Sequence, residues 1–384
     1  MKHFNWLFVV LLFVFESGFG SAIDSINISI LTCAPGRDIY SIYGHNAIRI
    51  HDVKHGLDLV YNYGTFDFKT KGFILKFMRG KLPYVLDVAD YSHFYAEYDY
   101  FQRSVIEQVL DLDSLQKMNI LKYLDHNMLP ENKMYKYDFF MDNCATRLRD
   151  IIEQNVPECT YEQNTLTQKT FRDIIKEYQR NLPWTNFGID LIIGSPADKL
   201  VTTRQSAFIP DYLANILGDI KCSDAKVLPL VKSKSHILKF NNENSTPNFF
   251  LGPIFVFLIL LIVEINLLFR HFKGEIHSYV AKYDNLWIFV MAIASLLMLF
   301  MWFGTDHIPT KYNWNLVWAS PLIPIWWYFR NQNFGQKIGL FLYGLLIISL
   351  INAIPGINIL PQYFHPAIIM ITLIIMMKIF RNTN

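Results

Sequence analysis

The sequence lacks an excess of charge of either sign, because its 35 Lys and Arg residues nearly balance its 33 Asp and Glu residues. A formal net charge of +2 gives no basic surface for nucleic acid, so we expect no nucleic-acid partner. The chain also has only four cysteines, at positions 33, 144, 159 and 222, and their spacing is not that of a metal site. We therefore expect neither a metal nor another cofactor.

Charged residues make up 18% of the chain and hydrophobic residues 52%, which is too apolar for a soluble protein and too polar for membrane spans alone. The composition of the whole chain averages over two different regions. Residues 24–245 contain charged residues and turn residues, and residues 249–380 contain long apolar runs. Residues 1–22 have a basic start, an apolar stretch and a small-residue end, which predicts a signal peptide or, alternatively, an uncleaved anchor. In both cases the residues after position 22 are exported. In an oxidising compartment Cys159 and Cys222 are candidates for a disulfide, although the sequence leaves the pairing open.

Five apolar runs indicate about five transmembrane helices, at about 249–269, 286–303, 315–329, 336–354 and 365–380. The third is short and contains Pro321 and Pro324, which predicts a kinked or re-entrant segment. Lys and Arg residues concentrate in alternate loops and in the tail, which places the C-terminus in the cytoplasm and the first domain outside it. We expect a signal peptide at 1–22, a periplasmic domain at 23–245 and an inner-membrane domain at 246–384. Glu264 lies within the first run, and we expect its carboxylate to reach the cytoplasmic interface.

Two segments of the exported domain carry residues suited to catalysis. Residues 45–50 alternate in the manner of a half-buried strand, and a turn at 54–56 leads to a second strand at 59–64. Asp142 and Asn143 are good helix caps, which places Cys144 in the first turn of a helix, where backbone N–H groups stabilise a thiolate and offer donors to an oxyanion. A thiolate nucleophile needs a base such as His45, and Asn62, with Tyr61 or Tyr63 behind it, is the candidate to orient the imidazole. A small buried Cys144 without a catalytic role is the alternative.

Five segments carry a resemblance to a known family: YGHNAIR at 43–49, YNYGTFDF at 61–68, DNCATR at 142–147, GSPAD at 194–198 and TDH at 305–307. The order of a strand histidine before a cysteine at a helix start resembles the circularly permuted papain-like enzymes, the group of lecithin:retinol acyltransferase. The residues of these five segments most resemble those of the Lnb-type lipoprotein N-acyltransferases. The resemblance implies an α+β papain-like exported domain, followed by an all-α membrane domain of about five helices.

In that family a cysteine takes an acyl chain from a phospholipid and passes it to the α-amino group of a diacylglyceryl-cysteine lipoprotein. The resemblance therefore implies that the partners are a phospholipid donor, a lipoprotein acceptor and the bilayer. It makes Cys144 the nucleophile, His45 the base and Asn62 the third member. Candidate substrate-binding residues are Tyr43, Tyr63, Asn143, Arg147, Asp306 and His307. Packing is the alternative role for Tyr43, and a solvated or Asp150-paired helix surface is the alternative for Arg147.

Two other functions fit the same residues. A membrane-anchored papain-like cell-wall peptidase or amidase would use the same pair of Cys144 and His45. However, such a hydrolase does not need five transmembrane helices to stay at the membrane. A non-enzymatic sensor or transporter accessory would need neither residue.

Overall fold

The computed structural model describes residues 23–67, 69–223, 227–241, 249–275, 278–354 and 356–383. The expected signal peptide at 1–22 and the expected domain boundary at residue 245 lie outside this part of the chain. As the sequence predicts, an α+β unit with β-sheets comes first and a helical unit comes after it.

The α+β unit is built on an antiparallel sheet of seven strands in the order β12–β5–β1–β2–β3–β4–β6, with two small sheets beside it. The strands are β1 (Ile26–Cys33), β2 (His45–Asp52), β3 (Leu57–Thr65), β4 (Pro83–Asp90), β5 (Val105–Leu110), β6 (Met134–Lys136), β7 (Cys159–Thr160), β8 (Leu166–Thr170), β9 (Leu200–Thr202), β10 (Lys221–Ser223), β11 (Val227–Pro229) and β12 (Val231–Leu238).

Helices cover both faces of the sheet. The helices of this unit are α1 (Phe73–Met78), α2 (Tyr91–Tyr100), α3 (Ser114–Met128), α4 (Cys144–Asn155), α5 (Phe171–Tyr178), α6 (Pro183–Ile192), α7 (Thr203–Ser206) and α8 (Pro210–Asp219). One face packs against α3, α4 and α8, and the other face packs against α2. The predicted hairpin of β2 and β3 is confirmed, with residue Ile48 opposite Tyr61. However, β2 is not half-buried, because α2 covers its second face and leaves Ala47 and Ile48 equally inaccessible.

A disulfide joins Cys159 in β7 to Cys222 in β10, while Cys33 and Cys144 are free. The bridge ties two short strands that share only two residue pairs. It therefore constrains the segment from residue 159 to residue 222, and Cys144 lies outside that segment.

The second unit contains helices α9 (Pro253–Phe272), α10 (Ser278–Phe303), α11 (Leu322–Phe329), α12 (Asn333–Asn352) and α13 (Ala367–Thr383). Among the described residues, α9, α12 and residues 279–303 of α10 are long and apolar enough to cross a bilayer. In the third run the helix is short, because the eight residues of α11 begin only after Pro321. The last helix, α13, is 17 residues long.

Buried amides join the two units. The Asn313 side chain donates to the carbonyl oxygens of Leu191 and Ile192 at 2.7 and 3.0 Å, at the end of α6. The backbone N–H of Gly194 donates to the carbonyl of Pro309 at 2.8 Å. A Cβ atom at Gly194 would lie 1.9 Å from the carbonyl oxygen of Lys311, so only glycine permits this approach.

A cluster of four buried charges joins three membrane helices. Glu264 of α9 and Asp284 of α10 accept from the Lys378 ammonium at 2.7 Å each, and both also pair with Arg381 of α13. The side chains are at most 3% exposed. The expectation that Glu264 reaches the interface is therefore wrong, because its carboxylate has two cationic partners inside the helix bundle.

Removing one member of the cluster should destabilise the membrane unit. We expect Glu264→Ala to cost about 3 kcal/mol, because an uncompensated positive charge then remains buried. The measurement is thermal unfolding of the detergent-solubilised protein. Glu264→Met with Arg381→Met, which removes one charge of each sign, should recover part of the loss, and a double variant that is as unstable as the sum of the singles would contradict this account.

Candidate active site

Cys144 is the first residue of α4, and the helix start is built by Asn143. The Asn143 side-chain oxygen accepts from the backbone N–H groups of Ala145 and Thr146 at 2.9 and 3.0 Å, and the Thr146 hydroxyl accepts from the Asn143 N–H at 2.8 Å. The Asn143 amide nitrogen donates to the carbonyls of Phe139 and Phe208. These contacts fix the helix start and occupy both ends of the side chain. They do not fit the substrate contact predicted for Asn143, which is 2% exposed.

The structure brings His45 and Asn62 to the thiol of Cys144. The His45 imidazole is hydrogen bonded to the thiol. Its Nε2 lies 3.2 Å from the Asn62 side-chain oxygen. This contact leaves Nδ1 as the nitrogen for the thiol, and it fixes the ring as a third catalytic member would. The three predicted catalytic residues therefore form one connected hydrogen-bonded group.

A local irregularity in β3 makes room for this group. The pairing of β2 with β3 stops at Ile48 and Tyr61, before it reaches His45. The pairing of β3 with β4 shifts register at Gly64, where φ is +92°. Such β-bulges occur beside active sites because they redirect a strand. Here the redirected strand passes over the first turn of α4.

The electrostatic environment favours a thiolate on Cys144. Burial raises the pKa of the Cys144 thiol, but the His45 imidazolium and the N–H groups of Asn46 and Ala145 outweigh it, so the pKa is lowered. For His45, burial lowers the pKa, and the Cys144 thiolate and the Asn62 side chain outweigh this, so the pKa is raised. Both shifts favour the thiolate–imidazolium pair over the neutral pair. The backbone N–H of Asn46 is a contributor that the sequence did not indicate.

Two tyrosines that the sequence did not indicate line the other side of the thiol. A Cβ atom at Gly64 would lie 3.8 Å from the Cys144 Cβ, 3.8 Å from the Tyr135 hydroxyl and 4.0 Å from the Tyr137 ring. Gly64 thus leaves a gap between the nucleophile and the two phenols. The Tyr135 hydroxyl is buried without a hydrogen-bond partner. Burial raises the pKa of Tyr135, so the phenol stays protonated and can donate to a negatively charged oxygen.

Arg147 and Tyr63 both contact the ring of Tyr135. The Arg147 guanidinium binds the Asp142 carboxylate at 2.6 and 2.8 Å and lies 3.6 Å from the centre of the Tyr135 ring. It therefore positions Tyr135, with its charge already paired to a carboxylate. Tyr63 is 1% exposed and packs edge-on against Tyr135, which does not fit the predicted substrate contact.

Tyr43 lies two residues before His45 and contacts other parts of the α+β unit. Its hydroxyl accepts from the Gln179 amide at 2.6 Å, and its ring packs on Phe139. Gln179 in turn lines a cavity of about 430 Å³ between the two units, to which Lys176 and His365 also contribute. Cys144 does not line this cavity.

Asp306 and His307 lie in the loop after α10 and contact the α+β unit. The Asp306 carboxylate pairs with Lys136 of β6 at 2.9 Å, and His307 Nε2 lies 3.2 Å from the carbonyl of Phe77 in α1. Lys136 stands between Tyr135 and Tyr137 in the sequence, so this loop contacts the segment that carries both phenols. Asp306 and His307, which the sequence predicts to bind substrate, therefore lie near the site and contact residues that surround it.

The reactivity of Cys144 should report the pairing with His45. Because His45 lowers the pKa of the thiol, His45→Ala should raise that pKa and slow alkylation by iodoacetamide at pH 7 at least tenfold. Asn62→Ala should have a smaller effect in the same direction. The measurement is the rate of carbamidomethylation of Cys144 against pH, by mass spectrometry.

Cys33 serves as an internal control, because burial raises its pKa to about 12 and it should not react in the folded protein. An alkylation profile of His45→Ala that matches the wild type would show that the imidazole does not activate the thiol.

Comparison with protein families gives two matches. Residues 20–180 match the model of the Lnb N-terminal periplasmic domain. Residues 243–384 match the model of the Lnb transmembrane domain. No curated protein and no solved structure matches the chain. The first match extends from β1 to α5 of the α+β unit, and the second match covers the helical unit.

Proposed function

The chain belongs to the family of Lnb-type lipoprotein N-acyltransferases, and from this premise we propose that it transfers an acyl chain through a thioester on Cys144. The donor is a membrane phospholipid, and the acceptor is the α-amino group of a diacylglyceryl-cysteine lipoprotein. The observation that carries the proposal is the hydrogen-bonded group of Cys144, His45 and Asn62 in a periplasmic domain joined to a membrane domain.

The first half-reaction acylates Cys144. The thiolate sulfur attacks the ester carbonyl carbon of the phospholipid while His45 holds the proton that left the thiol. The backbone N–H of Asn46 and the Tyr135 hydroxyl are the donors proposed for the oxyanion. When the tetrahedral intermediate collapses, the carbon–oxygen bond breaks, and the leaving alkoxide takes the proton from His45. A lysophospholipid departs and a thioester remains.

The second half-reaction passes the acyl chain to the lipoprotein. The neutral α-amino group attacks the thioester carbonyl, and His45, now neutral, accepts a proton from the nitrogen. The carbon–sulfur bond breaks, and the sulfur returns to the thiolate paired with His45. Acylation and release are thus separate steps, which predicts ping-pong kinetics. The partial burial of Cys144 supports this scheme, because a thioester must be kept from water between the steps.

The acyl-enzyme is the intermediate that tests the proposal directly. Incubation of the full-length protein with phospholipid should add the mass of one acyl chain, and peptide mapping should place it on Cys144. Cys144→Ser should carry no adduct. Acylation of a diacylglyceryl lipopeptide without any adduct would refute the thioester mechanism. Release of cell-wall peptide fragments, with no acylated lipopeptide, would instead indicate the peptidase alternative.

The proposed oxyanion contact of Tyr135 gives a second, narrower prediction. Tyr135→Phe should slow formation of the acyl-enzyme by about 100-fold, the usual loss for one oxyanion donor, while alkylation of Cys144 by iodoacetamide stays close to the wild-type rate. The matched control is Tyr61→Phe, which removes a phenol on β3 that packs against the same core. Equal acylation rates for Tyr135→Phe and the wild type would remove Tyr135 from the mechanism.

A further inference from the structure

Helix α1 turns its apolar side chains outward. Its sequence is Phe-Ile-Leu-Lys-Phe-Met, and none of its residues is buried. Ile74 is 72% exposed and Leu75 is 58% exposed, and Phe77 and Met78 also face outward. A short helix of a water-soluble domain normally packs its apolar side chains on the core, so this exposed patch points to a partner.

Basic residues surround the patch. Residues 69–82 contain Lys69, Lys71, Lys76, Arg79 and Lys81, and no Asp or Glu. The four lysines are exposed. An apolar helix within a cluster of cations is the composition of segments that lie in the interface of an anionic membrane.

The fold holds α1 at the end of a membrane span. The Arg79 guanidinium donates to the carbonyl of Gly304 at 3.4 Å, and the carbonyl of Arg79 accepts from the Asp306 N–H at 2.9 Å. His307 contacts the carbonyl of Phe77. Gly304 comes directly after the last residue of α10, Phe303, which is 71% exposed. The outward side chains of α1 are therefore placed where the periplasmic leaflet meets the protein.

A continuous series of rings leads from α1 to the thiol. We call these five side chains the aromatic row: Phe77, Phe73, Phe66, Tyr84 and Tyr137. Successive ring centres are 6.1, 5.6, 5.3 and 4.4 Å apart. The row ends at the gap beside Gly64, across which the Tyr137 ring faces Cys144. It connects the exposed patch to Cys144 through successive ring contacts.

We propose that α1 inserts into the periplasmic leaflet, that its lysines collect anionic phospholipids, and that the aromatic row carries an acyl chain to Cys144. The insertion of α1 stands independently of the reaction. The path along the aromatic row rests on the proposed function. The occupant of the patch is thus a phospholipid of the bilayer, selected by its negative headgroup and its acyl chains.

Insertion is tested with a spin label on α1 in the full-length protein. In a Cys144→Ser background the remaining cysteines are bridged or buried, so Leu75→Cys provides one reactive thiol. In liposomes of phosphatidylglycerol and phosphatidylethanolamine, the label should lie about 5–10 Å below the phosphates, as oxygen and aqueous nickel accessibilities report. The control is Leu115→Cys in α3, an equally apolar position that is 67% exposed.

The control label should be fully accessible to the aqueous nickel complex. Equal nickel accessibility at positions 75 and 115 would overturn the proposal.

The path to Cys144 is tested by acylation kinetics. Ile74→Ser with Leu75→Ser removes the two most exposed apolar side chains of α1. The variant should need about tenfold more vesicle phospholipid for half-maximal acylation of Cys144, with a smaller effect on the rate at saturation. The control Leu115→Ser should behave as the wild type. An unchanged half-saturation would refute the path, whereas a wild type that never forms the adduct would refute the proposed function and leave the spin-label result in force.

Discussion

The buried amide contacts between the two units are the constraint on which the rest of the structure depends. Asn313 and Asn315 are completely buried, and Gln362 is 2% exposed. All three donate to backbone carbonyls between residues 190 and 193. A buried amide that loses its hydrogen-bond partner costs about 1–3 kcal/mol of stability. Separation of the two units would therefore cost this amount several times over. The end of α6 is therefore held in one place, and the sheet that carries His45 is held with it.

Burial has two opposed effects at Cys144. The partial burial of the thiol would keep water from the proposed thioester, and it also disfavours the thiolate. The structure resolves the conflict with the charge of His45 and with two backbone N–H groups, which lower the pKa of the thiol despite burial. Asn62 matters in this balance because it favours the protonated imidazole. The three residues are thus one electrostatic unit, and the effects of changing them should not be additive.

Much of the candidate catalytic group could be predicted from local sequence, because each member lies at a recognisable point of a single element. The Asp-Asn-Cys order marks a helix start, and the alternation around His45 marks a strand. The hairpin then brings Asn62 close. Tyr135 could not be found in this way, because its place depends on the pairing of β6 with β4, two strands far apart in the chain. For the same reason the partners of Glu264, which are Lys378 and Arg381 of α13, were beyond local reasoning.

The order of the four cysteines constrains how the protein can be made. The bridge joins the third and fourth cysteines, and Cys33 and Cys144 are the first two to emerge during export. An oxidant acting on an unfolded chain would pair those two and consume the nucleophile. In the native sheet Cys33 lies in β1 with no accessible surface, opposite His45. The pairing of β1 with β2 thus keeps the Cys33 thiol inaccessible in the folded protein, while the thiol of Cys144 stays free.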